Sequence, residues 1–202
     1  MSRRPNSEQR RAQIVGALLS TMAEHGYEKA TIQLIARQAG LAPGLLHYHF
    51  KTKVEILVEL VKTLAELSRA RYEGLAGAAV TAEQRLLAYI KARLGTGEGA
   101  DGHAVAAWVV IGAEAVRQPE VRRVYQEAVG AELALIESLL GGCMREQRKR
   151  LDKVPFLAAA LLAFMEGAFQ LASAAPGVMP PGFAAGTAEQ LVRRYIDAEP
   201  KA

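Results

Sequence analysis

The chain has 202 residues, of which 50% are hydrophobic and 23% are charged, and its formal net charge is +4. This length suits one domain or two small ones, and the apolar content is ample for a helical core. The single cysteine, Cys143, excludes an internal disulfide framework and favours a reducing compartment. The first eleven residues, MSRRPNSEQRR, lack the apolar stretch of a signal peptide, so we expect a cytoplasmic protein.

The charge is distributed unevenly along the chain. Residues 1–53 hold eight Lys or Arg against three Asp or Glu, whereas the other 149 residues hold seventeen against eighteen. Three of the four histidines, His25, His47 and His49, also lie in the basic segment. This asymmetry is typical of a DNA-binding end joined to a near-neutral remainder.

The first predicted helix runs from about Ser7 to Glu24, with Asn6 or Ser7 as its cap, and ends at His25-Gly26. Two short helices joined by a tight turn follow between residues 31 and 53. Apolar residues recur at helical spacing in the first short helix, and Gly40 supplies the left-handed backbone of a sharp exit. Pro43 fits the first turn of the second short helix.

The second short helix is expected to be anchored by Leu45, Leu46 and Phe50. Its other side is expected to lie outside and carries Gly44, His47, Tyr48 and His49. Two helices at a steep angle, joined by a short turn that contains Gly, form the helix-turn-helix unit that places its second helix in the DNA major groove.

A further helix is predicted from Thr52 to Ala76, because Thr52 and Glu55 have the spacing of a capping box. Lys53 then lies in the first turn, where the helix macrodipole disfavours a cation. A bound phosphate would reverse this effect, since a helix N-terminus beside an ammonium group is an anion site. We favour a phosphate contact for Lys53 over a solvated side chain.

The block TIQLIARQAGLAPGLLHYHFKTKVEILVEL resembles the N-terminal domain of the TetR family of transcriptional regulators. The resemblance implies a three-helix DNA-binding domain, here residues 1–53, and an effector-binding and dimerisation domain, here residues 54–202. Two positions depart from the family pattern: Ala42 replaces the usual Ser or Thr cap, and His47 replaces the usual Tyr. The candidate DNA contacts are Thr31, Gln33, Ala42, Pro43, Gly44, His47, Tyr48, His49 and Lys53.

Only helices are predicted in the rest of the chain. Thr81 caps a helix that ends before the loop Gly95–Gly102, and the next helix spans His103 to Arg117. Pro119 opens a long helix, in which Gly141-Gly142 predicts a kink or an early stop. Thr187 is expected to cap a final helix that ends near residue 198.

The segment Phe156–Ala175 is the strongest candidate for a membrane span, because sixteen of its twenty residues are apolar. Glu166 lies near its middle, where a charge is costly in a bilayer. A helix that is apolar on nearly all sides is also typical of a buried core or an interface. We favour the interface interpretation.

The segment AVAAWVVIGAEAVRQPEVRRVYQEAV resembles the branch of the family that contains choline-responsive repressors of betaine synthesis. In that branch the last two long helices form a four-helix bundle with their symmetry mates, so a homodimer is implied. The resemblance also implies a pocket for a small effector among the helices of the second domain, mostly apolar with a few polar groups.

The candidate effector-binding residues are Tyr89, Trp108, Glu114, Tyr125, Phe164, Glu166, Phe169 and Gln170. The aromatic members fit an ordinary core as well as a pocket, and Glu166 could instead pair across a dimer. If Trp108 and two tyrosines converge, cation–π attraction would suit a quaternary ammonium group.

These features predict an all-α regulator that binds double-stranded DNA at a palindromic operator and is released by a small-molecule effector of unknown identity. The alternatives are a non-sensing or architectural DNA-binding protein and, least favoured, an enzyme. The sequence has no Gly-rich phosphate loop, HExxH or GxSxG motif. His47 and His49 lie two apart, so on a helix they point in different directions and predict no metal site. We therefore expect no catalytic residues, no metal site and no cofactor.

Overall fold

The computed structural model of the protein describes residues 4–96 and 100–202. Nine α-helices and no strand are present in this part of the chain, which confirms the predicted all-α class. The helices are α1 Arg4–His25, α2 Ile32–Gln38, α3 Pro43–His49, α4 Lys53–Ala76, α5 Ala82–Leu94, α6 Gly102–Arg117, α7 Pro119–Glu146, α8 Val154–Ala174 and α9 Phe183–Ala198.

Two helix starts differ from the predictions. Helix α1 begins at Arg4, so Ser7 lies within the helix, and the side chain of Asn6 is outside the described residues. Helix α9 begins at Phe183, four residues before Thr187. Gly182 precedes it with φ 70°, a left-handed conformation that glycine adopts without strain. In the predicted loop Gly95–Gly102, residues 97–99 lie outside the described residues.

The glycine pair in α7 does not end the helix, so the predicted early stop was wrong. The helix continues to Glu146. A Cβ atom added at Gly142 would lie 3.2 Å from the Cβ atom of Ala82 on α5. Gly142 is therefore explained by the close approach of α5 and α7 and not by a break in the backbone.

The first of two compact units comprises Met1–Ala65 and Asp101–Ala128. It contains α1 to α3, the first half of α4, α6 and the start of α7. Helix α1 packs against α2, α3 and α6. Its core is built from buried aliphatic and aromatic side chains, including Ile14, Leu18, Ile35, Leu46, Phe50, Ile56, Leu57, Ile111 and Val121.

The second compact unit comprises Glu66–Ala100 and Val129–Ala202. Helix α5 packs against α8 and α9, and α8 packs against α9. Its buried side chains include Leu86, Tyr89, Ile90, Ile136, Leu140, Met144, Leu161, Met165 and Val192. The two compact units therefore do not divide the chain after residue 53, because α6 packs on α1. The predicted division there into a DNA-binding domain and an effector-binding domain stays a prediction about function.

The end of the chain is tied to the turn between α7 and α8. The Lys149 ammonium donates to the carbonyl oxygens of Asp197 at 2.8 Å and Glu199 at 2.7 Å. The backbone of Lys149 also pairs with Lys201 in an isolated antiparallel bridge. Lys149 therefore caps the carbonyl end of α9.

Helix α8, Val154–Ala174, is long and apolar enough to cross a membrane by length and composition, with a mean hydropathy of 1.6. Within its most apolar stretch, 44% of the residues are buried inside the fold. Core helices of globular proteins meet the same criteria, so the helix alone is weak evidence for a membrane span.

Candidate functional site

Helix α2 is fixed at both ends by side chains. At its start, the Thr31 hydroxyl oxygen accepts a hydrogen bond from the backbone N–H of Leu34 at 3.2 Å. At its end, the Gln13 side chain of α1 donates to the carbonyl oxygen of Ala39 at 2.6 Å. The seven residues of α2 are too few for a stable isolated helix, so these caps and the buried Ile35 hold it in place.

The turn into α3 has the predicted features at Gly40 and Pro43. Gly40 has φ 64°, and Pro43 occupies the first turn of α3. Ala42 is the cap residue and has no side-chain oxygen to accept from the first N–H groups.

Two of the three predicted anchors of α3 are confirmed, since Leu46 and Phe50 are buried. Leu45 was predicted wrongly, because 40% of it is exposed. Adjacent residues on a helix point about 100° apart, and the side of α3 that buries Leu46 leaves Leu45 partly outside.

Seven of the nine predicted DNA contacts are exposed: Thr31, Gln33, Ala42, Pro43, Gly44, His47 and Tyr48. Tyr48 is the most prominent, with 75% of its surface exposed. His49 is half-buried, and its ring lies edge-on to Tyr48 at a centroid distance of 5.1 Å. The outward face of α3 thus carries a phenol and an imidazole, which are exposed hydrogen-bonding groups.

Lys53, the last predicted DNA contact, is half-buried at the start of α4. Its ammonium donates to the Tyr27 carbonyl oxygen at 2.8 Å and lies 4.1 Å from the centroid of the Tyr27 ring. The capping box before it is only half formed. The Thr52 hydroxyl accepts from the N–H of Glu55 at 3.1 Å, whereas the Glu55 carboxylate accepts from Lys51 at 2.8 Å and not from Thr52.

Arg11 on α1 ties the far end of α3 to α4. Its guanidinium donates to the His49 carbonyl oxygen at 3.0 Å, lies 3.1 Å from the Glu59 carboxylate and stands 4.2 Å from the centroid of the Phe50 ring. One side chain therefore fixes the end of α3 through a hydrogen bond, an ion pair and a cation–π contact.

The predicted effector-binding residues fall into both compact units. Trp108, Glu114 and Tyr125 belong to the first unit. The Trp108 and Tyr125 rings are 4.9 Å apart, and a Cβ atom added at Gly112 would lie 3.2 Å from the Tyr125 hydroxyl oxygen. This packing is typical of a core contact between α6 and α7.

The second unit contains a partly buried cluster of charged and aromatic side chains, which we call the Glu132 cluster: Tyr72, Tyr89, Arg93, Glu132 and Phe169. The Arg93 guanidinium lies 2.9 Å from the Glu132 carboxylate and 4.9 Å from the centroid of the Phe169 ring. The Tyr89 hydroxyl donates to the same carboxylate. The Tyr72 ring packs edge-on against Tyr89 at 5.7 Å.

Burial, followed by the charge of Glu132, raises the pKa of the Tyr89 hydroxyl well above its usual range. Tyr89 therefore stays a neutral hydrogen-bond donor at any physiological pH. The Glu132 cluster combines a carboxylate, aromatic rings and one resident cation in a mostly buried place, which is the chemistry that binds organic cations.

The three remaining candidate effector residues lie on α8. Phe164 packs on Phe183 at 6.4 Å, Glu166 is half-buried and Gln170 is exposed. A groove of about 240 Å³ lies elsewhere in the second unit, between α5, the end of α7 and α9. It contains none of the predicted effector-binding residues. Its described lining residues are Glu83, Leu86, Leu87, Gln147, Val192, Arg193, Ile196 and Asp197.

The sequence prediction missed Arg93 and Glu132, and also Arg11 and Tyr27. The sequence did indicate that Arg93 lies on the apolar face of α5, because it follows Leu86 and Ile90 at helical spacing. A charged residue on such a face requires a buried partner. The partner, Glu132, is distant in sequence and had no comparable signal.

Cys143 is buried, and burial followed by the nearby charges of Glu83 and Glu146 raises the pKa of its thiol to about 11. The thiolate is the reactive form, so a raised pKa makes this group unreactive at neutral pH. These properties favour an inert thiol over a redox switch.

Two sequence families match this chain. Residues 14–60 match the family described as "Bacterial regulatory proteins, tetR family", and residues 82–200 match "BetI-type transcriptional repressor, C-terminal". The chain is 34% identical over 116 residues to the HTH-type transcriptional regulator BetI of Rhizobium meliloti, a match that covers 56% of each protein. It is 42% identical over 50 residues to the fatty acid metabolism regulator protein of Bacillus subtilis, about a quarter of each chain. The chain thus spans about half the length of the curated relatives it matches.

Solved structures share the fold over nearly the whole chain. A transcriptional regulator from Rhodococcus superposes with a TM-score of 0.80 and 20% identity, covering 94% of this chain and 97% of its own. A regulator from Saccharomonospora viridis, solved in complex with choline, superposes with a TM-score of 0.76 and 22% identity, covering 95% and 97%. At these identities the structures show the common fold.

Replacing Arg11 with Ala is expected to destabilise the packing of α3, because it removes a hydrogen bond, an ion pair and a cation–π contact together. After allowance for solvent screening of the ion pair, which is about one-third exposed, we expect a loss of about 1–2 kcal/mol in the free energy of unfolding. Arg10→Ala is the matched control: Arg10 bonds to Gln13 on the exposed surface of α1, and its replacement should cost less than about 0.5 kcal/mol. Urea unfolding with hydrogen exchange of the α3 amides measures both, and equal effects would contradict the role of Arg11.

Proposed function

Because the chain belongs to the TetR family of bacterial transcriptional regulators and carries a BetI-type C-terminal region, we propose that it is a repressor that binds a palindromic DNA operator as a homodimer and is released by a small organic cation. The observation that carries the proposal is the firmly held α2–α3 pair, which presents the exposed Tyr48 and His47 on the basic end of the chain. Its relatives are transcriptional regulators, and we propose no catalytic activity. A DNA-binding role also places the protein in the cytoplasm.

In the proposed complex α3 lies in the major groove. Gly44 and His47, near the start of α3, face base edges, and Gly44 lets the backbone approach closely. Tyr48 and Lys53 contact phosphates, which hold the protein in position without reading sequence. The remaining proposed contacts, at the start of α2 and around the ends of α3, are Thr31, Gln33, Ala42, Pro43 and His49.

A single seven-residue α3 offers too small a contact for useful specificity, so the proposal includes a two-fold dimer. The supporting observation is an exposed stripe of apolar and small residues along α8: Phe156, Ala160, Ala163, Gly167 and Leu171. These positions recur every three or four residues, and the small members allow another helix to approach closely. A second copy of α8 is the proposed occupant of this stripe, and Leu191 of α9 is also exposed.

The proposed effector site is the Glu132 cluster. A guanidinium already occupies the position between the Glu132 carboxylate and the Phe169 ring, so this environment accommodates a cation. A quaternary ammonium ligand would take the place of Arg93. The choline found in a structural neighbour supports this class of ligand. Trp108, Glu114, Tyr125, Phe164, Glu166 and Gln170 stay outside this proposed site.

Displacement of Arg93 also suggests how the effector acts. The Arg93 guanidinium donates to the Ser68 hydroxyl on α4 at 2.9 Å, and α4 runs without a break from Ala76 back to Lys53. A ligand that moves Arg93 would therefore act directly on α4. It must bind the released conformation better than the DNA-bound one, since equal affinity for both shifts no equilibrium. The usual coupling of about 1–3 kcal/mol corresponds to a 5–150-fold change in operator affinity.

The second candidate function is an architectural DNA-binding protein without a sensor. It would use the same α3 surface but leave the Glu132 cluster as a structural ion pair. Binding of choline to the cluster separates the two functions.

Lys53→Ala is expected to weaken binding to a selected operator and to random duplex DNA by the same factor, because phosphates are alike in both. The slope of log affinity against log salt concentration should fall by about one for each phosphate that the protein no longer neutralises. His47→Ala should instead reduce affinity for the selected operator more than for random DNA. Fluorescence anisotropy measures all four values, with Lys62→Ala on α4 as the control cation. Equal losses on both duplexes for His47→Ala would contradict its reading role.

Phe169→Leu is expected to weaken choline binding about tenfold, because the aromatic face of a cation site is removed while an apolar side chain remains. Phe164→Leu on the same helix is the matched control, since its ring packs on Phe183, and should change the affinity less than about twofold. Isothermal titration calorimetry with choline measures both. Equal losses, or no binding of choline to the wild-type protein, would overturn the proposed effector site.

A further inference from the structure

The guanidinium of Arg93 fills the Glu132 cluster. It lies 2.9 Å from the Glu132 carboxylate, donates to the Ser68 hydroxyl oxygen at 2.9 Å and stands 4.9 Å from the centroid of the Phe169 ring. Only 14% of the Arg93 side chain is exposed. A carboxylate, a hydroxyl oxygen and an aromatic face are the contacts that a free organic cation would use. Arg93 uses all three, so a ligand can bind there only after Arg93 has moved.

The contact between Arg93 and Glu132 is imperfect. The Arg93 Nε atom is buried and close to the carboxylate, but its N–H group makes no hydrogen bond of ordinary geometry with any described residue. A buried N–H group without a well-directed partner costs free energy. Arg93 is therefore held less firmly than in a bidentate arginine–carboxylate pair, and a well-placed ligand can compete with it.

Glu132 keeps a neutral partner when Arg93 leaves. The Tyr89 hydroxyl donates to this carboxylate, and the Tyr72 ring supports Tyr89 edge-on. This hydrogen bond does not cancel the charge of the carboxylate, and only 22% of the Glu132 side chain is exposed to water. A largely buried carboxylate without a cation is strongly unfavourable. When Arg93 moves out, the site is thus left with an uncompensated negative charge and the open face of the Phe169 ring.

The charge of Arg93 can be accommodated outside the cluster. Arg93 lies in the last turn of α5, where the helix macrodipole stabilises a cation. Its side chain is long and flexible, and such side chains can extend to place a charged head in water. Departure from the cluster therefore removes the three contacts of the guanidinium but keeps the stabilisation of its charge by the end of the helix.

We infer that Arg93 is an internal occupant of the cation site that competes with the free effector, and that its hydrogen bond to Ser68 sets how strongly it competes. This inference rests on the proposed function, because it takes the Glu132 cluster as the effector site. The observed effector affinity is then the intrinsic affinity reduced by the fraction of molecules in which Arg93 has left the site. Ser68 thus determines effector affinity by holding Arg93 and not by holding the effector.

Tetramethylammonium is the probe for this inference, because it has no hydrogen-bond donor and cannot take over the bond to Ser68. Arg93→Ala should raise the affinity for the probe about tenfold, since the competing charge is removed and the Glu132 carboxylate is left without a cation. Lys91→Ala removes an exposed cation from the same helix and should change the affinity less than about twofold. Isothermal titration calorimetry of the full-length protein at constant ionic strength measures both.

Ser68→Ala tests whether Arg93 competes in the wild-type protein, because Arg93→Ala could create a cation site that the wild-type protein lacks. Ser68→Ala keeps Glu132, Phe169 and Arg93 and removes one bond that holds the guanidinium, so tetramethylammonium should bind about threefold more tightly. In the Arg93→Ala background, Ser68→Ala should have no effect, since no guanidinium remains to be held. If Arg93→Ala fails to fold, the effect of Ser68→Ala in the wild-type background still decides the matter.

Choline binding to the wild-type protein separates failure of this inference from failure of the proposed function. If choline binds, absent, unchanged or weakened tetramethylammonium binding in Ser68→Ala or in folded Arg93→Ala would overturn the inference alone. Equal effects of Ser68→Ala in both backgrounds would do the same. If the wild-type protein binds neither cation but Ser68→Ala or Arg93→Ala binds tetramethylammonium, Arg93 occupies the site as inferred and release by choline is overturned. No binding of either cation by the wild-type protein or its variants would overturn both.

Discussion

The burial of Leu46 and Phe50 in the core of the first compact unit is the constraint on which the DNA-binding surface depends. Helix α3 has seven residues and no side-chain cap at Ala42, so it cannot be stable by itself. Anchoring from one side, completed by Arg11 at its far end, orients the helix and leaves Tyr48 exposed. A surface that must match the DNA grooves needs such a rigid support. If the helix were mobile, ordering its side chains on binding would cost free energy and weaken the affinity.

Each compact unit also contains a group of buried polar side chains whose movement would affect a neighbouring element. In the first unit it is Glu114 and Gln118 beside Tyr27, and in the second it is Arg93 and Glu132 beside Phe169. Buried charges cost free energy and can be replaced by apolar residues without loss of the fold. Arg93 bonds to Ser68 of α4, and Tyr27 contacts Lys53 at the start of the same helix.

The N-terminal part of the fold was predictable because its signals are local. Gly40, Pro43 and the spacing of Leu46 and Phe50 each act within one turn, so the sequence alone indicated the helix-turn-helix unit. The role of Gly142 was predicted wrongly, because a glycine is needed there by a neighbour on α5, sixty residues away in the chain. The Glu132 cluster was only partly found for the same reason: Tyr89 and Phe169 were predicted, but the partner of Arg93 depends on how α5 and α7 pack. The contact of Lys53 with Tyr27 also joins residues distant in sequence.

The most direct test of a symmetric DNA-binding regulator is selection of duplexes from a random pool, followed by sedimentation of the protein with the enriched DNA. A two-fold dimer should enrich an inverted repeat whose half-sites lie about 34–36 Å apart, or further apart in another register, and should bind it with an even number of protomers per duplex. Enrichment of a site without symmetry, bound tightly by a single protomer, would contradict this mode of binding.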